Sequence, residues 1–422
     1  MVAHAHYRGP GTAGRADRSH RKLGGRAFYL YAVLAAAPVF PVPFLPRYVF
    51  RHKAKRLLAA LFDAAGACLF FIPNHFRKPI DTEKIKKILV IRLDHLGDLA
   101  MTRPAIALLK KKFPQAQIDL LVSCGAASLF EDGGEIHERI IMNPSWFSPN
   151  AGFGNPWREA LRILRVLKSN AYDLAIDFRG DLRIILLMAW AGIPQRFAYG
   201  ITGGGFLLTH CGPYSPSLHQ VLLNIKLLEP LGIRGEAENK PFSYPDARQL
   251  QVLNSLKSFL PENSVRRIVI HPGAGYASKR WPAIKFKVLI GKILEENLGN
   301  VLLIGTEAEK KLLSFEISDS KLIDLRGKTK LEDLPVLLDM CQLFIGNDSG
   351  PSHLAAAQGI PMIVLFSGTN EAAVWHPWSK FLQLMHHEVP CSPCEARECP
   401  LKHHDCMEKI SVEEVLQRVR LA

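Results

Sequence analysis

Residues 345–361 read IGNDSGPSHLAAAQGIP. The apolar residues LFI at 343–345 lead into this stretch, and PMIVLF at 361–366 closes it. Both apolar runs have the length and composition of buried strands, and the small residues between them predict a short helix. Strand, polar turn, helix and second strand form the repeating unit of a parallel α/β sheet.

The polar residues of this turn have two explanations. Ser349 or Gly350 caps the helix, Pro351 sits in its first turn, where a missing N–H is harmless, and Gly359 ends it. Capping leaves the aspartate and the histidine of the stretch unexplained. We therefore predict that the turn also holds a ligand.

The ligand predicted at this turn is anionic and carries hydroxyl groups. A helix N-terminus presents unpaired N–H groups and is an anion site. Asp348 can accept hydrogen bonds from ribose or sugar hydroxyls. We expect Asp348, Ser349, Gly350 and His353 to bind this ligand together.

The same alternation of strand and helix runs through most of the chain. It begins near residue 86, becomes irregular between about 200 and 264, and restarts with RRIVIHPGAG. Two such arrays predict an α/β protein with two doubly wound, Rossmann-like domains facing a cleft. The predicted parts are an N-terminal extension, a first domain, a second domain and a C-terminal helix, at 1–84, 85–262, 263–406 and 407–422.

Ligands of parallel sheets lie beyond the carboxyl ends of the strands. In HPGAGYASKRW (271–281), Gly273 and Gly275 let the backbone approach a ligand, and Lys279 adds a positive charge. The spacing matches neither a P-loop nor G-x-G-x-x-G. Beside the turn at 348–353 we interpret this loop as a diphosphate cradle, although a solvated lysine is the simpler explanation of the loop alone.

A third strand end in the second domain carries acids at the start of a helix. In LIGTEAEKK (303–311), Thr306 and Glu309 are candidates for ligand binding. A carboxylate here either binds ribose hydroxyls or complements the helix dipole.

The first domain offers a carboxylate at a corresponding position. In RLDHLGDLAMTRPA (92–105), Gly97 permits a tight turn and Asp98 starts a helix. Asp98 is either an N-cap or a general base. Asp94 is the competing carboxylate.

The charge of the chain is concentrated in the N-terminal extension. The protein has 422 residues and a net charge of +14. Residues 1–84 contain 14 Lys and Arg and 4 Asp and Glu, so they carry +10 of that total. The nearly neutral remainder argues against a nucleic-acid-binding core, and the extension predicts an anionic surface as its partner.

The extension has several interpretations. Residues 1–26 have a disordered composition, and the uncharged segment 27–46 is long enough to span a bilayer but is interrupted by prolines. It also resembles a signal peptide. We favour an interfacial membrane segment over a spanning segment or an inert, wrongly started tail. The basic residues expected to contact anionic lipid are Arg51, Lys53, Lys55 and Arg56.

The eight cysteines fall into two sets. Four are isolated and predicted to be reduced thiols: Cys68, Cys124, Cys211 and Cys341. The other four form a C-x2-C-x4-C-x6-C cluster that encloses two histidines: Cys391, Cys394, Cys399 and Cys406. The cluster is a candidate for structural zinc, for an iron–sulfur centre, or for reduced thiols or a disulfide.

Four motifs in order resemble the lipopolysaccharide heptosyltransferases, glycosyltransferase family 9, over about residues 86–420. They are KILVIRLDHLGDLAMTRPAI, DLAIDFRGDLRIILLMAWAGIPQRFAYG, HPGAGYASKRWP and LFIGNDSGPSHLAAAQGIPMIVLFSGT. The resemblance implies a GT-B fold with an acceptor domain followed by a nucleotide-sugar domain. In GT-B folds the C-terminal helix often packs back on the first domain.

The resemblance also implies an activity, inverting sugar transfer from a nucleotide diphosphate sugar to a glycolipid. Asp98 matches the family's catalytic aspartate, Lys279 its phosphate-binding lysine, and residues 348–353 its nucleotide-binding D-[ST]-G-x-x-H. The chain departs from characterised ADP-heptose enzymes at 274–275, where Ala-Gly replaces hydroxyl residues, which leaves the donor sugar open. The residues assigned to the acceptor side are Asp94, Asp177 and Arg179.

In the implied mechanism, Asp98 takes the proton of an acceptor hydroxyl, while Lys279 and the helix N-terminus stabilise the departing diphosphate. No Asp-x-Asp pair occurs in the chain, and we expect catalysis without a cofactor. The acceptor would be an anionic glycolipid, which places the enzyme in the cytoplasm at the inner membrane. The alternatives are another GT-B nucleotide-sugar enzyme, such as an epimerase, and a non-catalytic nucleotide-sugar-binding protein.

Overall fold

The computed structural model describes residues 48–50, 52–75, 80–130, 134–143, 155–242, 244, 246–257, 266–312 and 319–422. The segments 1–26 and 27–46, and Arg51, lie outside these residues, so the predictions made for them remain predictions. Within the described residues, none of the helices combines the length and the apolar character that crossing a membrane requires.

The first domain is built on a sheet of six strands, in which neighbouring strands are parallel. The strands are β1 Lys87–Arg92, β2 Gln117–Val122, β3 Glu138–Ile141, β4 Leu174–Asp177, β5 Gln195–Ala198 and β6 His210–Cys211. Their order is β3-β2-β1-β4-β5-β6. The central strand β1 is buried along almost its whole length, as expected of a parallel sheet covered on both faces.

The second domain repeats this plan. Its strands are β7 Arg267–His271, β8 Asn300–Leu303, β9 Leu322–Asp324, β10 Leu343–Asn347, β11 Met362–Phe366 and β12 Leu382–His386. They pair in parallel in the order β12-β11-β10-β7-β8-β9, which is the topology of the first sheet. The prediction of two doubly wound α/β domains is therefore confirmed.

Fourteen α-helices accompany these strands in the described part of the chain. The first seven are α1 Lys53–His75, α2 Leu96–Lys112, α3 Cys124–Ala127, α4 Pro156–Asn170, α5 Leu182–Trp190, α6 Gln220–Lys226 and α7 Asp246–Lys257. The other seven are α8 Ala283–Glu295, α9 Glu307–Leu312, α10 Leu334–Asp339, α11 Gly350–Gln358, α12 Ala372–Trp375, α13 Asp405–Glu408 and α14 Val412–Leu421.

The topology brings the two motifs of the second domain together. Strand order reverses between β7 and β10, which are paired neighbours with Gly346 opposite His271. The loops that follow these two strands therefore diverge from one point and leave a crevice between them. This is why two motifs that are distant in the chain, at 271–281 and 345–353, form one site.

The two domains meet through helices α2 and α11, which pack against each other. Their N-terminal turns approach so closely that two positions exclude a side chain. A Cβ on Gly97 would lie 2.8 Å from Cδ2 of His353, and a Cβ on Gly350 would lie 2.6 Å from Cδ2 of Leu96. Glycine at both positions therefore permits this spacing of the domains at the cleft.

Helix α1 belongs to the predicted extension, and it packs on the first domain. The Asp63 carboxylate accepts hydrogen bonds from the backbone N–H of Gly204 at 2.6 Å and from the Tyr48 hydroxyl at 2.9 Å. Gly66 lies against the Phe206 ring, and a Cβ there would collide with it. Asp63, which interrupts an otherwise apolar stretch, thus fixes α1 to the loop after β5.

The expectation that the C-terminal helix packs on the first domain is wrong for this chain. Helix α14 packs on α8 and β11 of the second domain. Its apolar residues Val415, Leu416 and Val419 are fully buried in that domain's core, and Arg420 forms an ion pair with Glu296 at 2.7 Å. The apolar stripe of α14 is therefore satisfied within the second domain.

We predict that Gly180→Ala lowers the free energy of unfolding by at least about 2 kcal/mol, measured by chemical denaturation. Gly180 has φ +76°, and a Cβ there would collide with the carbonyl oxygen of Tyr199. Gly192 has the same φ with open space around it, so Gly192→Ala is the matched control and should cost about 1 kcal/mol. Equal losses in the two variants would contradict this account.

Candidate active site

A cleft of about 910 Å³ lies between the two domains. The first turn of α2 lines one side, and the loops after β7, β8 and β10 line the other. The predicted site residues that line this cleft are Asp98, Gly275, Lys279, Thr306, Glu309, Asp348, Ser349, Gly350 and His353. The predicted residues that lie outside its lining are Asp94, Asp177, Arg179 and Gly273.

A buried ion pair forms the centre of the second-domain wall. Nζ of Lys279 lies 2.6 Å from Oδ2 of Asp348, and Nε2 of His353 lies 3.5 Å from Oδ1. Asp348 is only 4% exposed. Burial alone would raise the pKa of this carboxyl, but His353 and Lys279 outweigh it and hold the pKa below its ordinary value. Asp348 thus fixes the two basic side chains, and its contact with a ribose or sugar stays a prediction.

Asn347 joins two loops of this wall, a role that sequence reasoning missed. The side chain is fully buried at the end of β10. Its Oδ1 accepts from the N–H of Trp281 at 2.9 Å, and its Nδ2 donates to the carbonyl oxygens of Pro272 at 2.8 Å and Gly273 at 3.2 Å. One amide therefore fixes both ends of the loop after β7 relative to β10.

Glu309 belongs to a hydrogen-bonded chain that ends in the cleft. Its Oε2 accepts from the N–H of Thr306 at 2.7 Å, and its Oε1 lies 3.5 Å from Nε2 of His271. The other ring nitrogen of His271 is 3.1 Å from Oγ of Ser349. Burial would raise the pKa of Glu309, but the bonds from His271 and Thr306 lower it to about 2.

These contacts change the interpretation of the loop after β8. Glu309 and Thr306 bond reciprocally, because Oγ1 of Thr306 accepts from the N–H of Glu309 at 3.2 Å, which is a capping arrangement. Gly273 has no side chain where the Glu309 carboxylate lies, so this glycine accommodates a neighbour. Glu307, the other acid of this strand end, also lines the cleft, and its carboxylate lies against Gly327.

On the opposite wall, Asp98 is held by a buried arginine that sequence reasoning did not identify. Arg92, the last residue of β1, is 3% exposed. Its Nη2 lies 2.7 Å from Oδ1 of Asp98, and its Nε lies 2.9 Å from Oδ1 of Asp94. Asp94 in turn pairs with Arg179 at 3.1 Å. Asp98 therefore has a fixed orientation at the cleft.

Asp177 organises the turn at the end of β4. Its two oxygens accept from the backbone N–H groups of Arg179, Gly180 and Asp181 at 3.0–3.1 Å. Burial, together with nearby carboxylates, raises the pKa of Asp177 to about 7. These bonds give Asp177 a structural role, and the acceptor-side assignment of Asp94, Asp177 and Arg179 stays a prediction.

The four clustered cysteines do not converge on one point. All are free thiols, and burial and the other three thiols raise the pKa of Cys406. Among the described residues, the only group of three or more His, Cys, Asp and Glu with ligand atoms within 4.8 Å of one another is Asp119, His137 and Glu138. The Asp119 carboxylate already bonds to His137 and Tyr172. The cysteine side chains as placed do not form a closed metal site.

Comparison with known proteins agrees with this geometry. The sequence model of glycosyltransferase family 9 (heptosyltransferase) matches residues 160–404. This chain belongs to glycosyltransferase family 9. Lipopolysaccharide heptosyltransferase 3 of Escherichia coli strain K12 is 30% identical over 295 residues, which cover 67% of this chain and 83% of that protein.

The fold agrees with solved structures of the family. A family 9 glycosyltransferase of Veillonella parvula has a TM-score of 0.70 at 20% identity, and the match covers 82% of this chain and 98% of that one. The ADP-heptose lipopolysaccharide heptosyltransferase II of E. coli has a TM-score of 0.65 at 21% identity, with 79% and 98% covered. The protein is thus a glycosyltransferase of the GT-B fold, and neither the epimerase nor the non-catalytic alternative is favoured.

We predict that Lys279→Met lowers the free energy of unfolding by about 3 kcal/mol, because it leaves the Asp348 carboxylate buried without its cation. Adding Asp348→Asn should recover most of this loss. The control is Lys292→Met, which removes an exposed pair with Glu413 and should change stability little. Additive losses in the double variant, measured by denaturant unfolding, would argue against the pairing.

Proposed function

We propose that this glycosyltransferase moves a heptose from ADP-heptose to the core of a lipopolysaccharide or a related glycolipid, with inversion at the anomeric carbon. The E. coli relative of the same fold is named an ADP-heptose lipopolysaccharide heptosyltransferase. The observation that carries the proposal is that Asp98 and Lys279, contributed by different domains, line one cleft. A carboxylate and a cation on opposite walls suit a displacement in which a proton is removed at one end and a diphosphate leaves at the other.

On the donor side, Lys279 is the cation for the diphosphate. Its partner Asp348 holds it at the cleft, and the first turn of α11, which Ser349 caps, presents backbone N–H groups beside it. We assign the ribose hydroxyls to Glu307 rather than Glu309, because both oxygens of Glu309 already have partners.

On the acceptor side, Asp98 is the general base. Arg92 binds Oδ1 of Asp98, and we assign Oδ2 to the acceptor hydroxyl. As the acceptor oxygen bonds to the anomeric carbon, its proton passes to Asp98 and the bond from that carbon to the diphosphate breaks. Negative charge then develops on the diphosphate, where Lys279 and the helix N-terminus stabilise it.

We predict that Asp98→Asn lowers kcat at least about 100-fold, because the amide cannot take the proton, while the Kd for ADP stays within about twofold of wild type. Transfer from ADP-heptose to a deacylated core acceptor gives kcat, and calorimetry gives the Kd. The matched control is Asp119→Asn, which alters a buried carboxylate of the same sheet outside the cleft and should preserve kcat. Turnover near wild type in Asp98→Asn would remove Asp98 as the base.

We also propose that helix α1 lies on the anionic inner surface of the cytoplasmic membrane, with the catalytic domains in the cytoplasm. The side of α1 opposite Asp63 carries large exposed apolar residues. They are Leu57, Leu58, Leu61 and Leu69, with exposures of 62%, 66%, 59% and 79%. Basic residues at the start of the helix add charge suited to anionic lipid. They are Lys53, Lys55 and Arg56.

We predict that polar substitutions on this face weaken binding to phosphatidylglycerol-containing vesicles about tenfold or more. The variant carries Leu57→Ser, Leu61→Ser and Leu69→Ser. Its turnover of a soluble acceptor should not change, because none of the three residues lines the cleft. Vesicle sedimentation measures the binding.

The control for this variant changes three apolar residues of similar exposure elsewhere on the surface. It carries Leu250→Ser, Ile284→Ser and Leu401→Ser. The control should bind vesicles as wild type does. Unchanged vesicle binding in the α1 variant, or a change only in its oligomeric state, would contradict the proposal that this face of α1 binds the membrane.

A structural zinc ion at Cys391, Cys394, Cys399 and Cys406 remains a hypothesis from the sequence. The four thiols lie close enough to influence the pKa of Cys406, but they do not converge as zinc ligands do. We assign no catalytic step to this cluster.

A further inference from the structure

The segment Cys391–Cys406, here called the cysteine strap, is bonded to the loop after β7. The contacts converge on Ser278, which is 3% exposed and does not line the cleft. The N–H of Ser278 donates to the carbonyl oxygen of Arg397 at 3.1 Å, and its hydroxyl donates to that of Ala396 at 2.5 Å. The carbonyl oxygen of Ser278 is 2.9 Å from Nε2 of His404. Every polar group of Ser278 therefore has a partner in the strap.

The strap is also bonded to the loop that follows β11. The N–H of Cys394 donates to the carbonyl oxygen of Gly368 at 3.0 Å, and the N–H of Glu395 donates to that of Thr369 at 2.8 Å. The Thr369 hydroxyl lies 3.3 Å from the hydroxyl of Ser278. One segment thus connects two strand-end loops of the donor wall.

We propose that the cysteine strap positions Lys279 for the donor diphosphate, and that Ser278 is the positioning residue through which it acts. Ser278 and Lys279 are consecutive in one short 3-10 turn, Ala277–Lys279. A displacement of Ser278 would therefore carry Lys279 with it. The role of Lys279 as the diphosphate ligand rests on the proposed function.

Two supports, one on each side of Lys279, hold this turn. Asn347 fixes the backbone at Trp281, and the strap fixes it at Ser278. Asp348 then orients the lysine amino group at 2.6 Å. A lysine side chain has several rotatable bonds and loses entropy when it is held. Fixing the backbone on both sides places Lys279 before the donor arrives, which reduces the ordering that binding must cause.

A double-mutant cycle tests this inference, with the affinity for ADP as the measured quantity. Ser278→Ala should weaken ADP binding about 5- to 10-fold, because it removes the hydroxyl that bonds to Ala396. In a Lys279→Met background the same change should have less than about a twofold effect, because no cation remains to be positioned. A merely structural role would give equal fold-changes in both backgrounds, and that result would overturn the proposal.

Two further variants keep the test decisive. His404→Phe removes the strap's donor to Ser278 and should reproduce the Lys279-dependent loss even if Ser278→Ala folds poorly. Ser411→Ala is the control, since that hydroxyl bonds to Glu414 at the start of α14 and stabilises the same domain away from the loop. If the wild type does not bind ADP, the proposed donor is wrong. If it binds and the cycle is additive, only the positioning role is wrong.

Discussion

The buried ion pair between Lys279 and Asp348 is the interaction on which the donor wall depends. The Asp348 carboxylate is only 4% exposed, so it needs partners; Lys279 forms an ion pair with one oxygen, and the His353 ring contacts the other. Because Asp348 follows β10 and Lys279 follows β7, the pair also joins the loops of two neighbouring strands. Asn347 completes this junction through bonds to the backbone of the same loop. The same ion pair therefore places charge at the site and holds the two loops together.

Much of this arrangement follows from rules that a sequence can reveal. Apolar runs that alternate with helical patterns indicate two doubly wound domains, and strand ends indicate where ligands bind. These rules made Asp98, Lys279 and Asp348 candidates beside simpler explanations, and the family resemblance supplied their expected roles; all three line one cleft. Glu309 also carried a local signal, since Thr306 three residues earlier fits a capping pair, and the hydrogen bonds show that pair.

Residues that act through partners could not be found in the same way. Arg92 has the position of an ordinary strand end, and only the folded chain shows that it pairs with Asp98. Asn and Ser are common in turns, so Asn347 and Ser278 do not stand out in the sequence. Their hydrogen-bond partners, Trp281 and Ala396, lie 66 and 118 positions away. Such contacts depend on which strands are neighbours, and local sequence patterns do not encode strand order.

The contact between helices α2 and α11 brings the proposed base on one wall close to the proposed leaving-group site on the other. Gly97 lies against His353, and Gly350 lies against Leu96, so the N-terminal turns of the two helices pack directly on each other. Asp98 follows Gly97 directly, while His353 contacts the aspartate that holds the donor-side lysine. The distance between the proposed base and the leaving-group site is therefore set by two positions that lack a side chain. A larger residue at either glycine would separate the walls on which the displacement depends.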